Sequence, residues 1–191
     1  MNDITITKGG VAVKQLIQFA KLTPKAIIPN KKDEDAGYDI WACIEEDFIK
    51  IDPLESVLIH TGICTHFPEG YVMVLKERSS TGLKGISLRS GIIDQSYEGE
   101  IGVIWTNCSN KSIYLSNLPE EELYKAAHRE PGSCTYYSTQ KAICQALLLP
   151  VANFTVDEVS KGAIQCNASE RGSKGYGSTN KRYYAINDAM I

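Results

Sequence analysis

No apolar run in this chain approaches the roughly 18 residues that a membrane span needs. The opening MNDITITKGG also has no apolar signal core. These absences predict a protein that stays in the cytosol where it is made, with no membrane partner. An excess of one charge is missing too: 20 Lys and Arg against 23 Asp and Glu leave a net charge of −3. That balance argues against a surface built to neutralise a nucleic-acid backbone, though not against one bound nucleotide. The six cysteines, at 43, 64, 108, 134, 144 and 166, include no CxxC pair, and the histidines at 60, 66 and 128 open no HExxH run. A zinc site is therefore not expected, nor the zinc-bound water of common nucleobase deaminases. In a reducing compartment the cysteines read as small buried apolar side chains. What remains is an ordinary composition, 191 residues with 43% hydrophobic and 23% charged. One domain of that size buries about 70% of its unfolded surface without a disulfide or metal staple.

Short β-rich runs broken by turn signals dominate the first 115 residues: 11–19, 48–51, 56–67, 71–77 and 101–107. Asp52-Pro53, Pro68-Glu69-Gly70 and glycines around 82–85 and 91–102 punctuate them. Such spacing predicts an all-β antiparallel sandwich or barrel rather than βαβ units. One helix is expected, Pro119–Arg129, with an early proline, acids in its first turn, and Pro131-Gly132 as a stop. Its surroundings, about residues 116–138, read as an insertion into the β pattern. Strand signal resumes over 141–156, and a polar, glycine-rich arm follows over 167–191. That arm has too little apolar content to join a core and is expected to be mobile, leaving 1–166 as the folded domain.

Three stretches carry more polar specificity than their surroundings require. Glu77-Arg78-Ser79-Ser80-Thr81-Gly82 offers a charged fork, hydroxyls and a flexible glycine, which suits a phosphate; a capped surface turn accounts for it equally. Residues 91–100 read as a hairpin in which Asp94 either orients and deprotonates a water or closes an Asx turn. Arg171 to Thr179 combines two cations, hydroxyls, one aromatic and close-approach glycines, which suits a triphosphate with a stacked base or a plain linker. Lys174 is misplaced for a Walker A loop.

Taken in order, AGYDIWA (36–42), RSSTGLKGI (78–86), GIIDQSYEGEIGV (91–103), AICQALLLP (142–150) and RGSKGYGST (171–179) resemble the five motifs of the trimeric dUTPases. The resemblance runs from about Val11 to Asn180. It implies a jelly-roll-like fold, a homotrimer with sites at subunit interfaces, and hydrolysis of dUTP to dUMP and pyrophosphate with Mg²⁺. By the same resemblance Asp94 activates the attacking water, Tyr97 packs on deoxyribose, and the backbone from Gly91 to Ile93 reads uracil. Arg78, Ser79, Ser80 and Gln145 hold phosphates, and Asp39 stands near metal-bound waters. Arg171, Tyr176, Gly177, Ser178 and Thr179 close over the substrate, Tyr176 taking the place of the usual phenylalanine.

Some positions depart from the family pattern. Ala142 stands where a cation is frequent, with Lys141 adjacent; Lys174 and Asn180 replace glycines; and about eleven residues follow the last motif. The insert resembles those of some bacteriophage members. It is either a solvated helix-loop decoration or a surface for a regulatory protein. Two other functions fit parts of the pattern: a zinc-free dCTP deaminase, and a nucleotide-gated binding protein acting through the insert.

Overall fold

The computed structural model describes residues 5–8, 11–14 and 16–164. β1 (Thr5–Lys8) and β2 (Val11–Lys14) pair antiparallel. The run 11–19 is thus not one strand. It breaks before β3 (Gln18–Lys21), and β3 joins a different partner. β4 (Tyr38–Ile40), β5 (Phe48–Ile51) and β6 (Ser56–Ile59) follow. The run 56–67 also divides, because Gly62 takes a φ of 65° between β6 and β7 (Ile63–His66). A side chain on Gly62 would stand 3.0 Å from the Ala26 methyl, so glycine serves both the turn and the packing there. β7 pairs with β3.

β8 (Tyr71–Lys76) is the central rail of the largest sheet, whose order is β10-β8-β14-β4, with β10 at Ile92–Ile93 and β14 at Cys144–Pro150. A short turn of helix, α1 (Ser79–Gly82), leads from β8 to β9 (Ile86–Arg89). β9 pairs with β11 (Val103–Asn107), which pairs on its other edge with β6. Alternation along these strands turns Met73, Leu75, Val103 and Trp105 into one core with Ile40, Ile59, Phe67 and Ile143.

The third sheet departs from the antiparallel expectation. β12 (Ile113–Ser116) pairs antiparallel with β5 but parallel with β13 (Thr135–Ser138). Parallel neighbours need a long crossover. Residues 117–134 supply it, including α2 (Glu120–Ala126). The helix is shorter than expected because His128, at φ 50°, turns the chain before Arg129. The insert is also not a loose decoration. β12 sends Ile113 and Leu115 into the main core and Tyr114 to the opposite face, where it meets buried Leu123 and Cys134. Burying a leucine of this kind contributes about 1.5–3 kcal/mol, so the crossover has a small core of its own.

The cysteines do not share one environment. Cys134 and Cys144 are buried, Cys43 and Cys64 are half-buried, and Cys108 is exposed. Burial pushes the Cys144 thiol far above its ordinary value, which keeps it neutral. From Phe154 the chain belongs to a second unit, of which 154–164 are described as extended and exposed, with one 3₁₀ turn at Lys161–Ala163. Among the described residues no helix is long and apolar enough to cross a membrane.

Candidate active site

The register of the largest sheet assembles the first group of polar residues. Gln145 on β14 stands opposite Asp39 on one side and Lys76 on the other. Two residues past Lys76, Arg78 swings back over this row, its Nε 3.2 Å from Asp39 Oδ1 and its Nη1 3.4 Å from the Ala142 carbonyl oxygen. Gln145 Nε2 donates to the Glu77 carbonyl at 3.1 Å. Gly37 makes this approach possible, since a Cβ there would lie 3.0 Å from Gln145 Oε1.

Local chemistry shapes the turn that follows. The Arg78 amide donates to buried Thr81 Oγ1 at 3.0 Å, and that hydroxyl donates back to the Arg78 carbonyl at 2.7 Å. This reciprocal cap bends the chain tightly and leaves Ser79 and Ser80 exposed beside the guanidinium. Glu77 is anchored beneath: the Leu88 amide donates to its carboxylate at 2.9 Å, and that bond holds the carboxyl below its ordinary value, with help from Lys76. The stretch is therefore a capped turn and, at the same time, a cation with two hydroxyls displayed on one face.

A second group forms around residues 91–100. Gly91, at φ 103°, passes so close to β8 that a Cβ would meet the Leu75 carbonyl oxygen at 3.0 Å. Its own carbonyl accepts the Leu75 amide at 2.7 Å, so Gly91 serves the turn more directly than it serves a ligand. The two arms of the expected hairpin have different partners, Ile92–Ile93 lying on β8 and Val103–Asn107 between β6 and β9. Between the arms Tyr97 N–H donates to the Asp94 carbonyl at 3.0 Å, leaving the Asp94 side chain exposed. Tyr97 is fixed by its hydroxyl, which donates to the Glu100 carbonyl at 2.9 Å.

Glu100 is the clamp. Its Oε1 accepts the amides of Thr61 at 3.0 Å and Gly62 at 2.7 Å, and its Oε2 lies 2.9 Å from His60 Nδ1. Burial pushes the Glu100 carboxyl up, but the Gly62 amide, the His60 ring and the Thr61 amide outweigh it, so it is held below its ordinary value. A cavity of about 390 Å³ lies between the arms, walled by Leu58, His60, Ile93, Asp94 and Tyr97. A wider cleft of about 700 Å³ opens beyond Tyr97, with Phe19, His66 and Gln95 on its walls.

The sheet brings Asp39, Arg78, Ser79, Ser80 and Gln145 together, and separately Gly91, Ile93, Asp94 and Tyr97. It does not join the groups. Ile93 pairs with Met73, three residues before β8 ends at Lys76, so about 10 Å of strand lies between that pair and the row that Arg78 covers. Arg171, Tyr176, Gly177, Ser178 and Thr179 lie outside the described residues. Among the described residues no group of three or more His, Cys, Asp or Glu could hold a metal ion. Gly37, Glu77, Thr81 and Glu100 were legible only as members of motifs; the Thr81 cap follows a recognisable spacing, whereas the Glu100 clamp has no local signal.

A β fold that sets a carboxylate–arginine pair and two serines at one end of a strand, and a second exposed carboxylate on a cavity of about 390 Å³ towards the other, suits a nucleotide-phosphate-binding class. Comparison with known proteins narrows the class: the dUTPase family model matches residues 23–118. A deoxyuridine 5'-triphosphate nucleotidohydrolase of Clostridium novyi is 36% identical over 163 residues, covering 83% of this chain and 94% of that protein. One from Clostridium tetani is 31% identical over 179 residues, 92% and 100% of the two chains. The solved Staphylococcus bacteriophage 80alpha dUTPase with dUpNHpp superimposes with a TM-score of 0.65 at 26% identity, over 85% of this chain and 97% of that one. The chain belongs to the dUTPase family.

Proposed function

We propose that this protein hydrolyses dUTP to dUMP and pyrophosphate at sites shared between copies in a homotrimer. The observation that carries the reading is the division of the motifs between the two ends of β8. Asp94 must activate water beside the same triphosphate that Arg78 grips, yet in one copy Ile93 pairs with Met73, about 10 Å of strand from the row under Arg78, and Asp94 lies one residue further away. A threefold assembly brings one copy's Asp94 to its neighbour's Arg78 turn.

In that assembly uracil enters the cavity beside Tyr97. β10 is an edge strand, so its outer amides and carbonyls are available to the base. Uracil offers a donor at N3 and acceptors at O2 and O4; cytosine reverses the pattern at N3 and position 4, and fixed backbone groups reject that reversal strongly. The Tyr97 ring leaves no room for a 2′-hydroxyl. Asp94 orients a water in line with the α-phosphorus and takes its proton as the new P–O bond forms. The charge that passes to the leaving pyrophosphate is met by Arg78, Ser79, Ser80 and Gln145. Arg171, Tyr176, Gly177, Ser178 and Thr179 complete the enclosure.

The Mg²⁺ ion implied by the family fits this donor set. Magnesium keeps several waters and takes its other ligands from phosphate oxygens, so no carboxylate cage is needed. Asp39, half-exposed beside Arg78, would hold it through water. When bound, the ion neutralises and aligns the triphosphate.

The test is pyrophosphate release from dUTP, dCTP, dTTP and UTP, with Asp94→Asn alongside. Turnover confined to dUTP and lowered about 10²–10⁴-fold in the variant is expected. Turnover of dCTP to a deaminated product would move the chain to the deaminase reading. A second role, protein recognition through the insert, is supported by its built core and by Glu120, Glu121 and Glu122 exposed on α2. The 80alpha enzyme is described as one of the phage dUTPases that control transfer of virulence genes by a G protein-like mechanism. If the combined Glu120→Lys, Glu121→Lys and Glu122→Lys variant spares both catalysis and every protein partner, that role is wrong.

A further inference from the structure

β13 closes the insert, and from it Tyr137 reaches the main core. The residue is 1% exposed, and its ring meets Trp105 edge-on, with centroids 5.1 Å apart and planes at 84°. Its hydroxyl donates to the Ala142 carbonyl at 2.7 Å. That carbonyl is the same one that Arg78 Nη1 approaches at the longer distance of 3.4 Å. Burial pushes the Tyr137 phenol up, while Ser80 and the charge of Arg78 pull the other way. One backbone carbonyl therefore joins the phenol to the guanidinium at the phosphate turn.

We propose that Tyr137 is a positioning residue for the phosphate-binding turn, holding Arg78 through the shared Ala142 carbonyl. The proposal rests on the reading of Arg78–Ser80 as the phosphate grip. Its logic is competition for one acceptor. The Ala142 carbonyl belongs to a residue 3% exposed and needs a good donor. Tyr137 supplies it at 2.7 Å, and Arg78 keeps most of its five N–H donors for Asp39 and a phosphate. Without the phenol O–H, the carbonyl is left to Arg78, and the guanidinium is drawn down onto the backbone and away from the ligand. The ring itself belongs to the core, so packing and positioning are separable.

The experiment compares Tyr137→Phe, Tyr137→Leu and Arg78→Ala in the full chain. Tyr137→Phe keeps the contact with Trp105 and removes the donor. Its KM for dUTP is expected to rise about five- to tenfold with kcat within about twofold, the pattern of binding lost equally from ground and transition states. Inhibition by pyrophosphate should weaken by the same factor, and inhibition by deoxyuridine should stay unchanged. A Tyr137→Phe enzyme with wild-type KM and pyrophosphate inhibition, beside a Tyr137→Leu enzyme that merely melts earlier, makes Tyr137 a packing residue and overturns the proposal. Equal weakening of pyrophosphate and deoxyuridine also overturns it. Arg78→Ala separates the two layers. If it leaves KM and pyrophosphate inhibition unchanged, the phosphate reading itself is wrong. If it raises both while Tyr137→Phe does not, only the assignment to Tyr137 falls.

Discussion

Mixing two inactive variants provides the sharpest test of the shared site. Asp94→Asn removes the water-activating carboxylate, and Arg78→Ala removes the phosphate fork at the other end of β8. Each variant alone is expected to lose activity by about 10²-fold or more. Suppose equal amounts assemble at random. A site formed by two copies is intact only when its Asp94 comes from an Arg78→Ala chain and its Arg78 from an Asp94→Asn chain. Each condition is met about half of the time, so about one quarter of all sites regain both groups, which is about one third of the sites in the mixed trimers alone. If both groups acted from one chain, every chain would carry a lesion and mixing would restore nothing. The assay is pyrophosphate release from dUTP after the differently tagged variants are co-expressed and the doubly tagged assemblies isolated. Isolation of mixed assemblies removes failure to exchange as an excuse. Doubly tagged assemblies no more active than the mean of the parents would refute the shared site.

Three further outcomes are expected. Gly91→Ala introduces strain at φ 103° and a 3.0 Å contact with the Leu75 carbonyl, costing about 1–3 kcal/mol. Its kcat/KM for dUTP should fall more than tenfold, while Gly70→Ala, at φ 80° with open space around it, leaves turnover intact; equal effects on turnover would remove Gly91 from the site. Glu100→Gln breaks the charged clamp on Thr61 and Gly62 and should cost roughly 2 kcal/mol at neutral pH, read as a fall in Tm of about 4–8 °C. Because the fold holds this carboxyl below the ordinary 4.5, its stabilisation is complete above that value and is lost as pH falls through the folded value. The Tm gap to wild type should therefore narrow as pH falls below 4.5 and close under the folded value; a gap that stays constant as pH falls would show that shape rather than charge is at work. Leu123→Ala opens a cavity in the insert's own core, 0% exposed in the native fold, at a cost of about 2–5 kcal/mol. Hydrogen exchange over 117–134 should quicken while dUTP turnover stays within about twofold, since β13 remains paired with β12; a parallel loss of turnover would tie the helix to catalysis.

The strands that face water on one side were legible in the sequence. β8 was placed nearly to the residue by its unbroken apolar run from Tyr71 to Leu75, and β5 is found at 48–51 as expected. The parallel pairing of β12 with β13 was not legible, for two physical reasons. β12 is buried on both faces, so Ile113–Ser116 shows no alternation between core and solvent. β13 is a four-residue run of tyrosines and hydroxyls, Thr135–Ser138, which by composition suits a loop as well as a strand. Only the partner strand decides between them. The same limit hid Tyr137: a tyrosine reads as an amphipathic side chain until Trp105 and the Ala142 carbonyl are set around it.

For the site, residue types were legible and convergence was not. Arg78 and Asp94 are close in sequence, which invites the inference that they are close in space. The route between them says otherwise. After the Arg78 turn the chain leaves the sheet along β9, which pairs with β11, and returns as β10 antiparallel to β8. An antiparallel return carries the chain away from the point of departure with each paired residue. Ile93 therefore arrives beside Met73 rather than Lys76, and the residue after it is Asp94. Asp39 and Gln145, more than a hundred residues apart in sequence, become direct neighbours across one register. Register is a property of strand pairs. A motif's spacing specifies which groups a chain can offer a phosphate, while the pairing decides which of them one copy can offer together. Here the pairing leaves the carboxylate and the phosphate grip apart within one copy, and the proposed chemistry joins them through a second copy.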